Sequence, residues 1–140
     1  MSYSLVVFDW DGTLMDSTHS IVAAIQGACR DLELPVPSAS DASWVIGLSL
    51  ESALRRAVPQ LTQAMLPRFL ERYRTHYLLR DPELRLFDGI PELLTALAER
   101  DVRLAVATGK SRVGLTRALA ATGLGPMFDA TRTADETFSK

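Results

Sequence analysis

Leu5-Val6-Val7-Phe8-Asp9-Trp10-Asp11-Gly12-Thr13-Leu14 decides how the rest of the chain reads. A short apolar run with two β-branched residues predicts a buried strand, and it stops at two carboxylates separated by one residue and followed by a glycine. Residues two apart on an extended backbone project to the same side, so Asp9 and Asp11 start on one face unless the turn rotates the second. Two neighbouring anions repel, and a hard divalent cation relieves that repulsion. Magnesium suits the pair, because it commonly takes one or two carboxylates and completes its shell with substrate phosphate oxygens. In that setting Asp9 is a candidate nucleophile toward phosphorus, and Asp11 a candidate acid and base for the oxygens that leave and enter. Gly12 lets the backbone approach a phosphate and take a positive φ. The same string also suits a plain Asp-x-Asp-Gly surface turn. A calcium loop would need further oxygen ligands and a closing Glu, where this chain has apolar Leu14 and Met15.

Downstream, Asp16 or Ser17 is set to cap a helix in which Ile21, Ile25, Ala28 and Leu32 repeat at helical spacing, widened by Val22 and Cys29 and stopped by Pro35 and Pro37. His19, in its first turn, reads as a partly exposed polar residue near a hinge. Asp41 to Ile46 predicts a short helix closed by Gly47, and Ser49 caps another that Pro59 ends. Leu61, Met65, Phe69, Tyr73 and Tyr77 then recur every four residues as a packing stripe. Pro67 lies inside it, so either one helix kinks there or Pro67 sits in the first turn of a second helix. Arg55, Arg56, Arg68, Arg72 and Arg74 read as a solvated face. Ser17 to about Arg80 is thus a helical block. A direct βαβ crossover needs one helix, so several in that position predict an inserted domain.

Beyond the block, strand and helix alternate. Asp88-Gly89 is a turn, and Pro91 starts a helix with Leu93, Leu94, Leu97 and Ala98 inward. Val102 to Ala107 predicts a second strand ending in Thr108-Gly109-Lys110-Ser111, where Gly109 or Ser111 opens a helix that closes at Gly123. Phe128 to Thr133 is a weaker third strand. This order predicts the α/β class, with a doubly wound parallel sheet. Ligands of such sheets sit at the carboxyl ends of the strands, where both Asp9 and Thr108 fall. A hydroxyl and backbone N–H groups at a helix start suit a phosphate. Taken singly, Thr108-Gly109-Lys110 is equally a plain strand-to-helix turn.

Composition sets the remaining bounds. At 140 residues, with 47% hydrophobic and 23% charged residues, the chain can bury a core of its own. A net charge of −2 with interspersed signs offers no basic stripe, so nucleic acid is not an expected partner. Cys29, the single cysteine, cannot form an internal disulfide. No apolar run is long enough for a membrane span, and no basic-then-apolar leader opens the chain, so a cytoplasmic protein away from membranes is the expectation.

Phe8-Asp9-Trp10-Asp11-Gly12-Thr13-Leu14-Met15-Asp16-Ser17 resembles the first motif, DxDGTLxDS, of the haloacid dehalogenase-like (HAD) hydrolase superfamily. Leu86-Phe87-Asp88-Gly89 through Val106-Ala107-Thr108-Gly109-Lys110 resembles the second block, and Ser139-Lys140 fits the third. The resemblance covers nearly the whole chain. It implies that Asp9 is the nucleophile, forms an aspartyl-phosphate and is the first magnesium ligand, while Asp11 is the acid/base and lends its backbone carbonyl as the second. Gly12, Thr108 and the Gly109 amide would lie against the phosphoryl group, and Lys140 would neutralise it. Residues 1–16 and 81–140 would form a Rossmann-like core, incomplete here, and residues 17–80 a C1-type helical cap. Dehalogenases proper usually lack the second acid, so Asp11 favours phosphate chemistry.

Asp16-Ser17 leading into Ile21-Val22-Ala23-Ala24 looks closest to phosphoglycolate phosphatase-like members, and Trp44-Val45-Ile46-Gly47 loosely resembles their specificity region. The expectation is a magnesium-dependent phosphatase for a small phosphorylated metabolite, with no oligomeric state implied. The family's fourth motif, an acidic pair that completes the metal site, does not appear. The chain is therefore expected to belong to a longer enzyme and to turn over weakly or not at all by itself. Three other readings stand beside this one. A sugar-phosphate mutase of the superfamily would carry histidine where Ile21 stands. A non-catalytic binding module would have no need for Asp9, Asp11, Thr108 and Lys140 together. A response-regulator receiver would lack the long helical insertion.

Overall fold

The computed structural model describes residues 2–137. In chain order the first half runs β1 (Leu5–Phe8), β2 (Met15–Asp16), α1 (Thr18–Asp31), α2 (Ala39–Ser43), α3 (Leu50–Ala57) and α4 (Leu66–Arg80). The second half runs β3 (Arg85–Leu86), α5 (Ile90–Glu99), β4 (Arg103–Ala107), α6 (Arg112–Thr122) and β5 (Ala130–Arg132). Short 3-10 turns follow α4, α6 and β5. The chain divides into two compact units, Met1–Met15 with Leu86–Lys140, and Asp16–Arg85. It passes between them at β2 and β3, two-residue strands that pair with each other. Pairs this short have no sequence periodicity, and nothing in the residue pattern announced them.

The first unit is an α/β layer. Its sheet is parallel in the order β1-β4-β5, with Phe8 opposite Val106 and Val106 opposite Thr131. Each helix is delimited by local chemistry. Gly89, at φ +83°, precedes α5, whose first turn holds Pro91. The Ser111 side chain accepts the Gly114 N–H at 3.2 Å to open α6, and left-handed Gly123 closes it. Leu94, Leu104, Val106 and Leu115 are essentially inaccessible to solvent.

The expectation of a buried first strand is corrected. Leu5 and Val7 are 50% and 55% exposed, while Val6 and Phe8 are half-buried. Among the described residues β1 borders the sheet, and its Leu5/Val7 face is about half covered. An apolar run reads the same whether one face or both are covered, so only packing distinguishes the two.

Between the strand residues at its two ends the second unit is built of helices, around a core that includes Ile25, Ala28, Leu54, Val58 and Phe69. Ser49 caps α3 through the Ser52 N–H, as expected. Of the two readings of Pro67, the structure adopts the second: it lies in the first turn of α4, whose Phe69 and Tyr73 are buried and whose Tyr73 and Tyr77 rings stack 6.0 Å apart. Gly27 permits close approach of α1 and α4, since a Cβ there would meet the His76 ring at 2.7 Å. Arg72 departs from the solvated-face reading. Its Nε donates to Asp31 Oδ2 at 2.7 Å, with His76 Nε2 2.8 Å from the same oxygen. Arg55, by contrast, stays exposed as expected and pairs with Glu51 on the solvent face. Burial pushes the Cys29 thiol up to about 11, which makes it an inert apolar filler.

Candidate active site

Asp9 and Thr108 follow paired strands and emerge at the same end of the sheet. β1 and β4 run parallel with Phe8 opposite Val106, so Asp9 leaves β1 beside the residues that lead β4 into Thr108. The Thr108 N–H donates to the Arg132 carbonyl at 3.1 Å, which carries the ladder one residue past β4 and ties that end of the sheet to β5.

A tight turn built on one carbonyl shapes the acid pair. Trp10 O accepts the N–H groups of Thr13, Leu14 and Met15, and the Gly12 N–H donates to Met15 O at 2.9 Å. Gly12 has φ +76°, the left-handed conformation expected of it. Trp10 and Leu14 are buried and anchor the turn from below. Asp9 and Asp11, on either side of Trp10, are half-buried. Asp9 Oδ1 accepts the Trp10 N–H at 2.7 Å, which orients the carboxylate.

On the neighbouring strand end, Thr108 is 3% exposed and its Oγ1 accepts the Lys110 N–H at 3.1 Å. Gly109 is buried beside it. Lys110 Nζ lies 3.6 Å from Asp11 Oδ2, and each side chain retains only 13% of its accessible surface. The structure thus joins the Asp9–Asp11 turn to the Thr108–Lys110 turn through a shielded ion pair. In the sequence Lys110 reads only as part of a phosphate-binding turn, and the cation is expected from Lys140, which lies outside the described residues. The available signal was spacing: a lysine two residues after the strand-end threonine, at the mouth of a helix, reaches back across the sheet edge.

A second polar cluster braces the same loop from the β5 side. The Lys110 carbonyl accepts the Ala134 N–H at 3.1 Å, and the Arg112 N–H donates to Asp135 Oδ1 at 3.0 Å. The Arg112 guanidinium holds Glu136 and the Thr131 hydroxyl. The Thr133 hydroxyl, donating to both Asp135 and Glu136, holds their carboxyl groups below the usual range, and Arg112 acts in the same direction.

The donor set fits a hard cation. Among the described residues no three His, Cys, Asp or Glu side chains gather as a metal cage. Two aspartates with the Asp11 carbonyl beside them match magnesium, which keeps several of its waters, rather than calcium with six to eight oxygen ligands or zinc with nitrogen and sulfur.

The pattern of haloacid dehalogenase-like hydrolases matches residues 6–140. The chain is 35% identical over 131 residues to tyrosine-protein kinase PtkA of Mycobacterium tuberculosis, covering 91% of this chain and 43% of that protein. It is 31% identical over 138 residues to phosphoglycolate phosphatase of Agrobacterium fabrum, covering 89% and 59%. The crystal structure of a predicted phosphoglycolate phosphatase from Haemophilus somnus superposes with a TM-score of 0.86 at 26% identity, over 96% of this chain and 64% of that one. The chain therefore spans less than two thirds of the length of each. With two aspartates on the first strand end, a threonine on its neighbour and a sequence match from the first strand onward, the chain belongs to the haloacid dehalogenase-like hydrolase family.

Proposed function

We propose that the protein is a phosphatase for a small phosphomonoester of the phosphoglycolate type, working through Asp9. An Asp9 carboxylate oxygen bonds to phosphorus as the ester P–O bond breaks, and the leaving oxygen takes its electron pair and a proton from Asp11. Asp11, now anionic, accepts a proton from the water that cleaves the aspartyl-phosphate, which returns both acids to their starting states. Thr108 Oγ1 and the Gly109 amide hold phosphoryl oxygens, Gly12 lets the backbone approach them, and Lys140 neutralises their charge. Asp9 and the Asp11 carbonyl would hold magnesium, which when bound screens the phosphate from the carboxylates. The helical unit Asp16–Arg85 corresponds to the C1-type cap that the resemblance implies.

One observation carries this reading: the register of β1 against β4 brings the Asp9 and Thr108 strand ends side by side at the carboxyl edge of a parallel sheet. The test is phosphate release by the gene product from a panel of phosphorylated metabolites, including phosphoglycolate, with and without magnesium. Asp9→Asn is expected to lower turnover by at least ~10³-fold, and chelation to abolish it reversibly. Full activity in the asparagine variant would overturn the assignment. The likeness to PtkA supports a second reading, phosphoryl transfer to a protein hydroxyl. Labelling of tyrosine from ATP, with no release of phosphate from small esters, would favour it.

A further inference from the structure

We infer that Lys110 is a positioning residue for the acid/base: its ammonium holds the Asp11 carboxyl in register with the leaving oxygen, and it does so from a groove that Gly114 leaves open. The inference rests on the roles proposed above for Asp9 and Asp11. Lys110 Nζ is 3.6 Å from Asp11 Oδ2, and both side chains are largely shielded from water. Once Asp11 has given up its proton, charges so placed interact more strongly than a surface pair, for which side-chain entropy and screening offset most of the gain.

The backbone of Lys110 is held at two points. Its N–H donates to Thr108 Oγ1, and its carbonyl accepts the Ala134 N–H. Its stem crosses the first turn of α6, where a Cβ on Gly114 would stand 3.2 Å from both Cγ and Cε of the lysine. Glycine inside a helix costs about 1 kcal/mol relative to alanine, and here a side chain would press on the lysine stem and on Ser111 Oγ, 3.3 Å away. The pair therefore links the acid on the first strand end to the residue whose amide orients Thr108 on the second. Asp9 lies two residues from Asp11, and a cation beside Asp11 also relieves repulsion within the acid pair.

Lys110→Met keeps the length of the stem and both backbone bonds. Its effect should follow the leaving group. An alkyl phosphate such as phosphoglycolate needs a proton on the departing oxygen, whereas p-nitrophenyl phosphate departs as a stable phenolate. General acid catalysis contributes roughly 10²- to 10⁴-fold, so misplacing the acid is expected to lower kcat about 10-fold or more for the alkyl ester and less than about threefold for the aryl ester. Lys110→Arg should restore most of the difference, and Gly114→Ala should shift selectivity in the same direction as Lys110→Met.

Magnesium affinity by calorimetry supplies a readout that does not depend on turnover. Removing a cation from beside the acid pair should tighten binding at least about threefold. Equal loss on both esters with a raised KM would make Lys110 a phosphate ligand and overturn the inference. Unchanged selectivity with unchanged magnesium affinity would overturn it as well, and unchanged affinity alone would do so if the wild type shows no turnover. Asp9→Asn run in parallel separates the layers. Retained hydrolysis there, or no magnesium binding by the wild type, sinks the phosphatase reading and this inference with it. A dead Asp9→Asn beside an unaltered Lys110→Met sinks only the inference.

Discussion

Gly27 and Gly12 do opposite things with the same missing side chain. Gly12 supplies a conformation, φ +76°, without which the turn between Asp11 and Leu14 could not close. Gly27 has ordinary helical geometry and supplies room, because the His76 ring occupies the place of its Cβ. Alanine at position 27 is therefore expected to destabilise the protein by about 1–3 kcal/mol in urea titration, despite its better helix propensity. The Gly27→Ala, His76→Ala double variant should recover part of that loss, and additive losses would mean that the ring is not the obstacle. The conformational glycine was legible in the sequence because turn chemistry is local. The spacing glycine was not, since its partner lies far along the chain, in α4.

Between elements, polar links tie distant parts of the chain together. Asp31 at the end of α1 meets Arg72 and His76 of α4, and hydrogen bonds from Arg72 first and His76 second hold its carboxyl below the usual value. A depressed carboxyl pKa contributes stability above the unfolded-state value, near pH 4, which is lost as pH falls through the lower folded-state value. The melting temperature of the wild type should therefore fall more steeply between pH 6 and pH 3 than that of Asp31→Asn, and parallel slopes would remove the link from the acid response. The strands make a second contrast. Leu104 of β4 is 1% exposed and Leu5 of β1 is 50% exposed. Truncation to alanine should cost about 2–5 kcal/mol at Leu104 and less than about 1 kcal/mol at Leu5, read by chemical denaturation. Comparable losses would mean that the Leu5 face is covered in solution.

At the scale of the whole molecule, the chain leaves the sheet unit once, after Met15, and returns at Leu86. The helical unit has its own core around Phe69, Leu54 and Ile25. Native-state hydrogen exchange is expected to protect α1 and α4 as one cooperative group and β1 with β4 as another, with different opening free energies. A single opening free energy for both would contradict the division. The α/β class, the long helical insertion and the convergence of Asp9 with Thr108 were readable from the residues alone. All three follow from periodicity, turn residues and the rule that parallel strands end on one side, which are properties of short segments. The tertiary structure alone decided which face of β1 is covered, that Asp31 would bind Arg72 and His76, and that Lys110 would reach Asp11 rather than solvent. Those outcomes depend on which surfaces meet after the chain has closed on itself, and residues a hundred positions apart carry no local mark of the side chain they will touch.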